Sequence, residues 1–355
     1  MKIIDNNLKI SAPDYNSIIP NGSSYVFFDI ETTGLSRRSS VIYLSGFVYA
    51  SDGVLKAQQF LLDSLEDEKD LVEKTIQFLN TFDYVITFNG DNFDIPMLKE
   101  RMKFHGIHEK INFDQLDIFK MIRPYKSFLG LDSMKQKSIE AFLNISRKDE
   151  MSGGELIKIF FYYLKIHDAE SYDLLLQHNF DDICGMPALM DILKYPSIFE
   201  HVQRVECAGL SQDTLSLQIK LNEDVPVPIN YENEDIEINI ASSTLEIVVP
   251  VLKATLYHYF SNYKDYYYLP AEDTAIHRSV AEFVDSSAKV KAKASNCYVK
   301  RSGVFLPQFD EPVFTPDFRT ELHDKNTYFE IKEDIIEDKE TLNSYLNIIL
   351  KHLRP

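Results

Sequence analysis

Two acidic residues, Asp29 and Glu31, follow a run of apolar and aromatic residues near the beginning of the chain. Side chains alternate between the two faces of a β-strand, so Asp29 and Glu31 point to one side and Ile30 points into the core. Two adjacent carboxylates repel each other, and burial raises the cost of keeping them charged. A divalent cation removes that cost, and Mg²⁺ and Mn²⁺ prefer hard oxygen ligands of this kind. The pattern therefore predicts a metal site.

Further acidic residues occupy positions that suit a ligand. Asp94 follows a predicted strand and turn and begins a predicted helix, where an Asp taken alone has the properties of a helix cap. His178 and Asp182 are four residues apart and share one face of another predicted helix, although a lone helical His is usually structural or solvated. The adjacent Asp181 lies about 100° around that helix and is excluded from the pair.

Composition sets the limits of these interpretations. The chain has 355 residues, 45% of them hydrophobic, which is enough for two domains with real cores. It has no apolar run long enough to span a membrane, and its first residues do not resemble a secretion signal, so we expect a cytoplasmic protein. Three widely spaced cysteines predict reduced thiols and neither a disulfide framework nor a zinc site.

The charge distribution bears on nucleic-acid binding. A net charge of −18 argues against it, but two segments are locally basic. Residues 120–148 hold seven Lys or Arg against two acidic residues, and residues 286–303 hold five and no acidic residue. Such segments fit weak, salt-dependent contact with a phosphate backbone. Ordinary solvated faces are the alternative explanation.

The order of predicted elements indicates the fold. Three antiparallel strands, a helix, a strand and a helix match the start of a ribonuclease-H-like layer fold. We expect an α/β protein with a ribonuclease-H-like mixed sheet flanked by helices, plus a smaller C-terminal α+β domain. The predicted divisions are a lead-in segment over 1–22, an exonuclease domain over 23–200, and a C-terminal domain of unknown role over 205–355.

Three motifs carry a resemblance to a known family. FFDIETTGL, TFNGDNFDIP and HNFDD resemble the first, second and third motifs of the DEDD (DnaQ-like) 3′→5′ exonucleases, and the second has the form found in B-family polymerase proofreading domains. Together with LDIFKMIRPYKSFLGL and SMKQKSIEAFLNISRKDEMSGGE, the sequence over about 23–195 is similar to the YprB-type ribonuclease-H-like proteins. His178 takes the spacing of the tyrosine subclass, because Ile183 stands where the histidine subclass has Asp. This departure leaves the general base open.

The resemblance implies a role for each residue. Asp29 would bridge two Mg²⁺ or Mn²⁺ ions, with Glu31 and Asp182 completing the first site and Asp94 holding the second. His178 would orient or deprotonate the attacking water. The resemblance also implies four substrate-binding residues, Thr33, Leu35, Asn89 and Phe93. The alternative makes the Leu and Phe of that list core residues and the Asn a turn residue.

The resulting hypothesis is a metal-dependent 3′→5′ exonuclease that hydrolyses single-stranded DNA or RNA from 3′ ends by a two-metal-ion mechanism. Two alternatives stay open, namely a non-catalytic nucleic-acid-binding or scaffold protein and a ribonuclease-H-type endonuclease. In the C-terminal domain, an aromatic cluster over 257–268 could stack bases or could pack a small sheet.

Overall fold

The computed structural model describes residues 1–148, 151 and 153–354. The chain divides into two compact units, Met1–Pro196 and Ser197–Pro355. Asp149, Glu150 and Ser152, which belong to the run similar to YprB-type proteins, lie outside the described residues.

The first unit is built around a six-stranded mixed sheet in the order β1-β4-β3-β2-β5-β6. The first four strands of that order pair antiparallel, whereas β2, β5 and β6 are parallel. The strand bounds are β1 (Lys2–Ser11), β2 (Tyr25–Thr32), β3 (Ile42–Ser51), β4 (Val54–Leu61), β5 (Tyr84–Thr87) and β6 (Asp114–Asp117).

Helices cover the sheet, which confirms the predicted α/β class with a flanked mixed sheet. Their bounds are α1 (Glu68–Leu79), α2 (Asp94–Phe104), α3 (Ile118–Ile122), α4 (Gln136–Phe142), α5 (Gly153–Ile166) and α6 (Ala169–Leu189). The next helix in the chain, α7 (Lys194–Glu200), includes the boundary between the two units. Apolar residues of α1, α2, α5 and α6 join those of β2 and β3 in one core cluster. On β2, Val26, Phe28 and Ile30 belong to this cluster, so the alternating Asp29 and Glu31 face the other way.

Two predictions for the first unit are wrong. Residues 1–20, for which the sequence predicts an irregular lead-in, contain β1, which pairs with β4 at the edge of the sheet. Most side chains of β1 are exposed, so it lacks the apolar alternation that identifies a strand in a sequence. The four-residue β6 lies within residues 112–165, for which the sequence predicts helices and loops and no strand. Its sequence, DQLD, carries the same kind of weak signal.

The second unit contains three antiparallel sheets and confirms the expected α+β class. Their strand orders are β7-β8-β11-β10-β9, β12-β16-β17 and β14-β13-β15. The strand bounds are β7 (Val205–Leu210), β8 (Thr214–Lys220), β9 (Ile229–Glu232), β10 (Glu237–Ala241), β11 (Thr244–Pro250), β12 (Leu252–Tyr259), β13 (Tyr266–Leu269), β14 (Thr274–His277), β15 (Val290–Lys291), β16 (Tyr298–Pro307) and β17 (Tyr328–Ile331). The helices are α8 (Arg278–Ala281) and α9 (Lys339–Leu353).

The spacing of apolar residues over about 271–285 predicts one helix, and this prediction is wrong. The segment instead forms β14 and the four-residue α8, because Ala275 and its neighbours pair with β13. Phe260, Tyr266 and Tyr268 of the aromatic cluster pack around the buried Cys297, as the packing alternative predicts. All three cysteines are free thiols. None of the helices in the described part of the chain is both long and apolar enough to cross a membrane.

Candidate active site

Asp29 and Glu31 lie at the end of the central strand β2. Asp29 accepts a hydrogen bond from the Nδ2 of Asn179 on α6, 2.9 Å away. Burial raises the pKa of Asp29 well above its ordinary value, and the carboxylates of Asp94, Glu31 and Asp182 raise it further, while the Asn179 amide opposes the shift. Acidic side chains from three separate elements therefore act on one carboxyl group.

Asp94 reaches this cluster from the first turn of α2. It is 4% exposed, and its Oδ1 accepts the backbone N–H of Ile30 on β2 at 3.1 Å. A role confined to capping its own helix does not account for this contact. Burial raises the pKa of Asp94 to about 7, and Asp117 and Asp182 contribute to the rise while the Ile30 amide opposes it.

His178 and Asp182 approach Glu31 from α6. The Nε2 atom of His178 lies 3.5 Å from a Glu31 oxygen and 3.5 Å from an Asp182 oxygen. One ligand atom from each of these three residues falls within 4.8 Å of the other two, as the ligands of a metal ion do. The His178 side chain is buried, whereas both carboxylates remain partly accessible.

A second layer of polar residues supports Asp182. Arg147 donates to Asp182 Oδ1 at 2.7 Å and to the buried Glu140 at 2.8 Å. Gln136 donates to the other Glu140 oxygen and to the backbone carbonyl of Asp182. These contacts fix the part of α6 that carries Asp182 relative to α4.

The profile of a known superfamily matches this part of the chain. The RNase_H superfamily profile covers residues 26–194, which include the whole cluster of acidic residues and His178. Residues 26–194 form an RNase_H superfamily domain. This result confirms the predicted fold of the first unit, and we call residues 26–194 the RNase_H domain below.

Individual proteins that are similar to this chain match it over only part of their own lengths. A DNA polymerase of Methanocaldococcus jannaschii is 37% identical over 70 residues, which are 19% of this chain and 4% of the polymerase. The solved family B DNA polymerase of Pyrobaculum calidifontis has a TM-score of 0.42 at 14% identity, covering 52% of this chain and 26% of that one. E. coli exonuclease I with a dT13 oligonucleotide has a TM-score of 0.33 at 11% identity, covering 62% and 55%. The chain thus spans about half of exonuclease I and less of either polymerase.

The predicted substrate-binding residues differ in their surroundings within the RNase_H domain. Leu35 is 85% exposed, so it is not a core residue. Phe93 is partly buried against the main core. Asn89 adopts a φ of 65° in the turn before α2, as a turn residue does, and its Oδ1 accepts from Asn92. Thr33 Oγ1 accepts the Val41 N–H at 2.9 Å. Leu35 is thus the member of this set that most openly faces solvent.

Several supporting residues were not singled out from the sequence. Asp117 ends β6 and accepts the backbone N–H groups of Asn89 and Asp91, which orders the turn before α2. The partners of Asn179 and Arg147 are 150 and 35 residues away in the chain, so no local pattern marks them. Gly46 on β3 lies against the side chain of Asn179. It did carry a sequence signal, since a glycine inside an apolar strand often marks the close approach of another group.

Proposed function

We propose that this chain is a metal-dependent nuclease of the DEDD type that hydrolyses phosphodiester bonds of DNA or RNA from 3′ ends. The observation that carries the proposal is the meeting of Asp29, Glu31, Asp94 and Asp182 beside the buried His178. Repelling buried carboxylates cost stability unless a cation or a proton compensates them. We assign residues 23–200 as the catalytic domain and 205–355 as a separate domain.

The donor set fits hard divalent cations. Its carboxylate oxygens suit Mg²⁺ or Mn²⁺. Burial raises the pKa values of Asp29 and Asp94, and neighbouring carboxylates raise them further, so a cation bound beside them would stabilise their charged forms. Asp29, Glu31 and Asp182 would hold one ion, and Asp29 with Asp94 the second. When bound, the ions neutralise charge on the phosphate and stabilise the leaving oxygen.

His178 is assigned to the attacking water. Its Nε2 lies 3.5 Å from an oxygen of Glu31 and 3.5 Å from an oxygen of Asp182, so the imidazole borders two of the proposed metal ligands. A neutral imidazole nitrogen can accept a proton from a water molecule beside it. In this arrangement His178 orients the water and takes its proton, and the adjacent carboxylates of Glu31 and Asp182 stabilise the positive charge that the imidazole gains.

Leu35 and the polymerase relative support the choice of substrate. Leu35 lies three residues beyond the end of β2 and exposes its side chain, which would contact the terminal base of a single strand. The relative that is 37% identical over 70 residues is a DNA polymerase, which favours a polynucleotide substrate. Thr33, Asn89 and Phe93 are assigned to the same subsite.

The test uses single strands of DNA and of RNA labelled at the 5′ end, with Mn²⁺ or Mg²⁺. We expect a ladder of products shortened from the 3′ end, which EDTA and Asp29→Asn abolish. Asp70→Asn, on the exposed face of α1, serves as the matched control and should cut like the wild type. Cleavage that persists on strands with a blocked 3′ end would indicate an endonuclease. Binding without cleavage under every condition would indicate a non-catalytic protein.

A further inference from the structure

One row of residues crosses three strands of the RNase_H domain at the level of Asp29. Asp29 on β2 pairs with Gly46 on β3, and Gly46 pairs with Gln59 on β4. Residues that pair directly across strands project from the same face of a sheet. With strands about 4.8 Å apart, Asp29 and Gln59 are separated by roughly 10 Å, too far for a direct hydrogen bond.

The missing side chain of Gly46 leaves a gap in this row, and Asn179 fills it from α6. A Cβ atom at Gly46 would lie 2.1 Å from Asn179 Oδ1, well inside contact distance. Asn179 is completely buried and Gln59 is 1% exposed, so neither amide exchanges partners with bulk water. Gly46 therefore creates the space in which Asn179 bridges Gln59 and Asp29.

The polarity of this bridge runs in one direction. Gln59 Nε2 donates to the backbone carbonyl of Leu176 at 3.0 Å, and a carbonyl can only accept. The same Nε2 donates to Asn179 Oδ1 at 2.9 Å. Asn179 must then turn its Nδ2 toward Asp29, where it donates to Oδ2 at 2.9 Å. If the Asn179 amide were reversed, its Nδ2 would face the Gln59 Nε2 donor and its Oδ1 would face the Asp29 carboxylate, and neither hydrogen bond could form.

We propose that Asn179 is a positioning residue that fixes the Asp29 carboxylate for metal binding, that Gln59 sets the direction of the Asn179 amide, and that Gly46 provides the space. The inference rests on the proposed function, because it treats Asp29 as a metal ligand. Asn179 holds Asp29 Oδ2, so the rotation of the carboxylate, and with it the direction of Oδ1, is restricted. Groups that orient metal ligands in this way typically change metal affinity or activity by roughly 10- to 100-fold when removed.

The test measures Mn²⁺ binding by calorimetry and single-strand cleavage for Asn179→Ala, Gly46→Ala and the double variant. We expect each single variant to bind Mn²⁺ about 10-fold or more weakly and to lose kcat while KM for the oligonucleotide stays within about twofold. Gly46→Ala should change Mn²⁺ affinity little in the Asn179→Ala background, because the Asn179 amide that the new methyl group would displace is already absent. Gln58→Ala, at the residue of β4 just before Gln59, is the control and should match the wild type.

Additive effects of the two substitutions on Mn²⁺ affinity would overturn the proposal, as would unchanged affinity in Asn179→Ala. Gln59→Met keeps the volume beside Asn179 filled and should also weaken Mn²⁺ binding, but by less than Asn179→Ala does. Unchanged affinity in Gln59→Met would overturn the role of Gln59. The binding measurement does not require cleavage, so failure of the nuclease assay in the wild type is distinguishable from failure of this inference.

Discussion

Replacing Asp94 by Asn tests whether burial among other acidic residues makes the charged Asp94 carboxylate costly in the metal-free protein. Asp94 is 4% exposed, and burial with the neighbouring acids raises its pKa from an ordinary 3.8 to about 7. An Asn has the same shape, and its Oδ1 can still accept the Ile30 N–H. The substitution therefore removes charge while keeping the contact between α2 and β2.

The expected magnitude follows from the pKa shift. A rise from 3.8 to about 7 corresponds to roughly 4 kcal/mol at about 1.4 kcal/mol per pKa unit. The native state keeps a proton that the unfolded state releases, so the unfolding free energy falls as pH rises through this range. Between pH 5 and pH 8 the loss from Asp94 is roughly 2 to 3 kcal/mol, and it is absent below the unfolded pKa. Asp94→Asn should be more stable than the wild type at pH 8 and should depend less on pH.

Urea unfolding followed by far-ultraviolet circular dichroism in EDTA measures this difference, since the chain contains no Trp. Asp70→Asn, which removes an exposed partner of Lys74, is the matched control. Saturating Mn²⁺ should reverse the order by stabilising the wild type more than Asp94→Asn. The reasoning is refuted if Asp94→Asn is less stable at pH 8 in EDTA or keeps the full wild-type dependence on pH.

Four further predictions address individual residues. Asp29→Ala should keep the circular dichroism spectrum of the wild type and lose all Mg²⁺- or Mn²⁺-dependent cleavage; wild-type turnover would reject the assignment. His178→Ala should lower kcat much more than Mn²⁺ affinity measured by calorimetry, whereas a collapse of affinity would make His178 a ligand. Asp117→Ala should lower the unfolding free energy by about 2 kcal/mol in urea titrations, because it leaves backbone N–H groups of the turn before α2 without their acceptor. Leu35→Ala should raise KM for single strands without changing the melting temperature, since Leu35 is 85% exposed; an unchanged KM would remove it from the subsite.

The sequence was informative where local periodicity and chemistry coincide. The apolar run before Asp29 predicted β2 and the shared direction of Asp29 and Glu31, because both follow from strand alternation. The spacing of His178 and Asp182 predicted a common helical face, and their side chains lie 3.5 Å apart on α6. These features depend on neighbouring residues alone.

Other features depend on partners far away in the chain. The edge strand β1 is held by backbone pairing with β4, which leaves no pattern in its mostly exposed side chains. The bridge from Gln59 through Asn179 to Asp29 joins β4, α6 and β2. No local spacing specifies such a contact, because tertiary packing decides which amide faces which carboxylate. The interior glycine of β3, Gly46, was its one local sign.

X-ray diffraction at the manganese absorption edge, from crystals of the protein grown with Mn²⁺, tests whether the four carboxylates bind a metal ion. We expect anomalous density bordered by the carboxylates of Asp29, Glu31, Asp94 and Asp182, and loss of that density in Asp29→Ala. Manganese bound elsewhere on the protein, with no density among these four residues, would contradict this expectation.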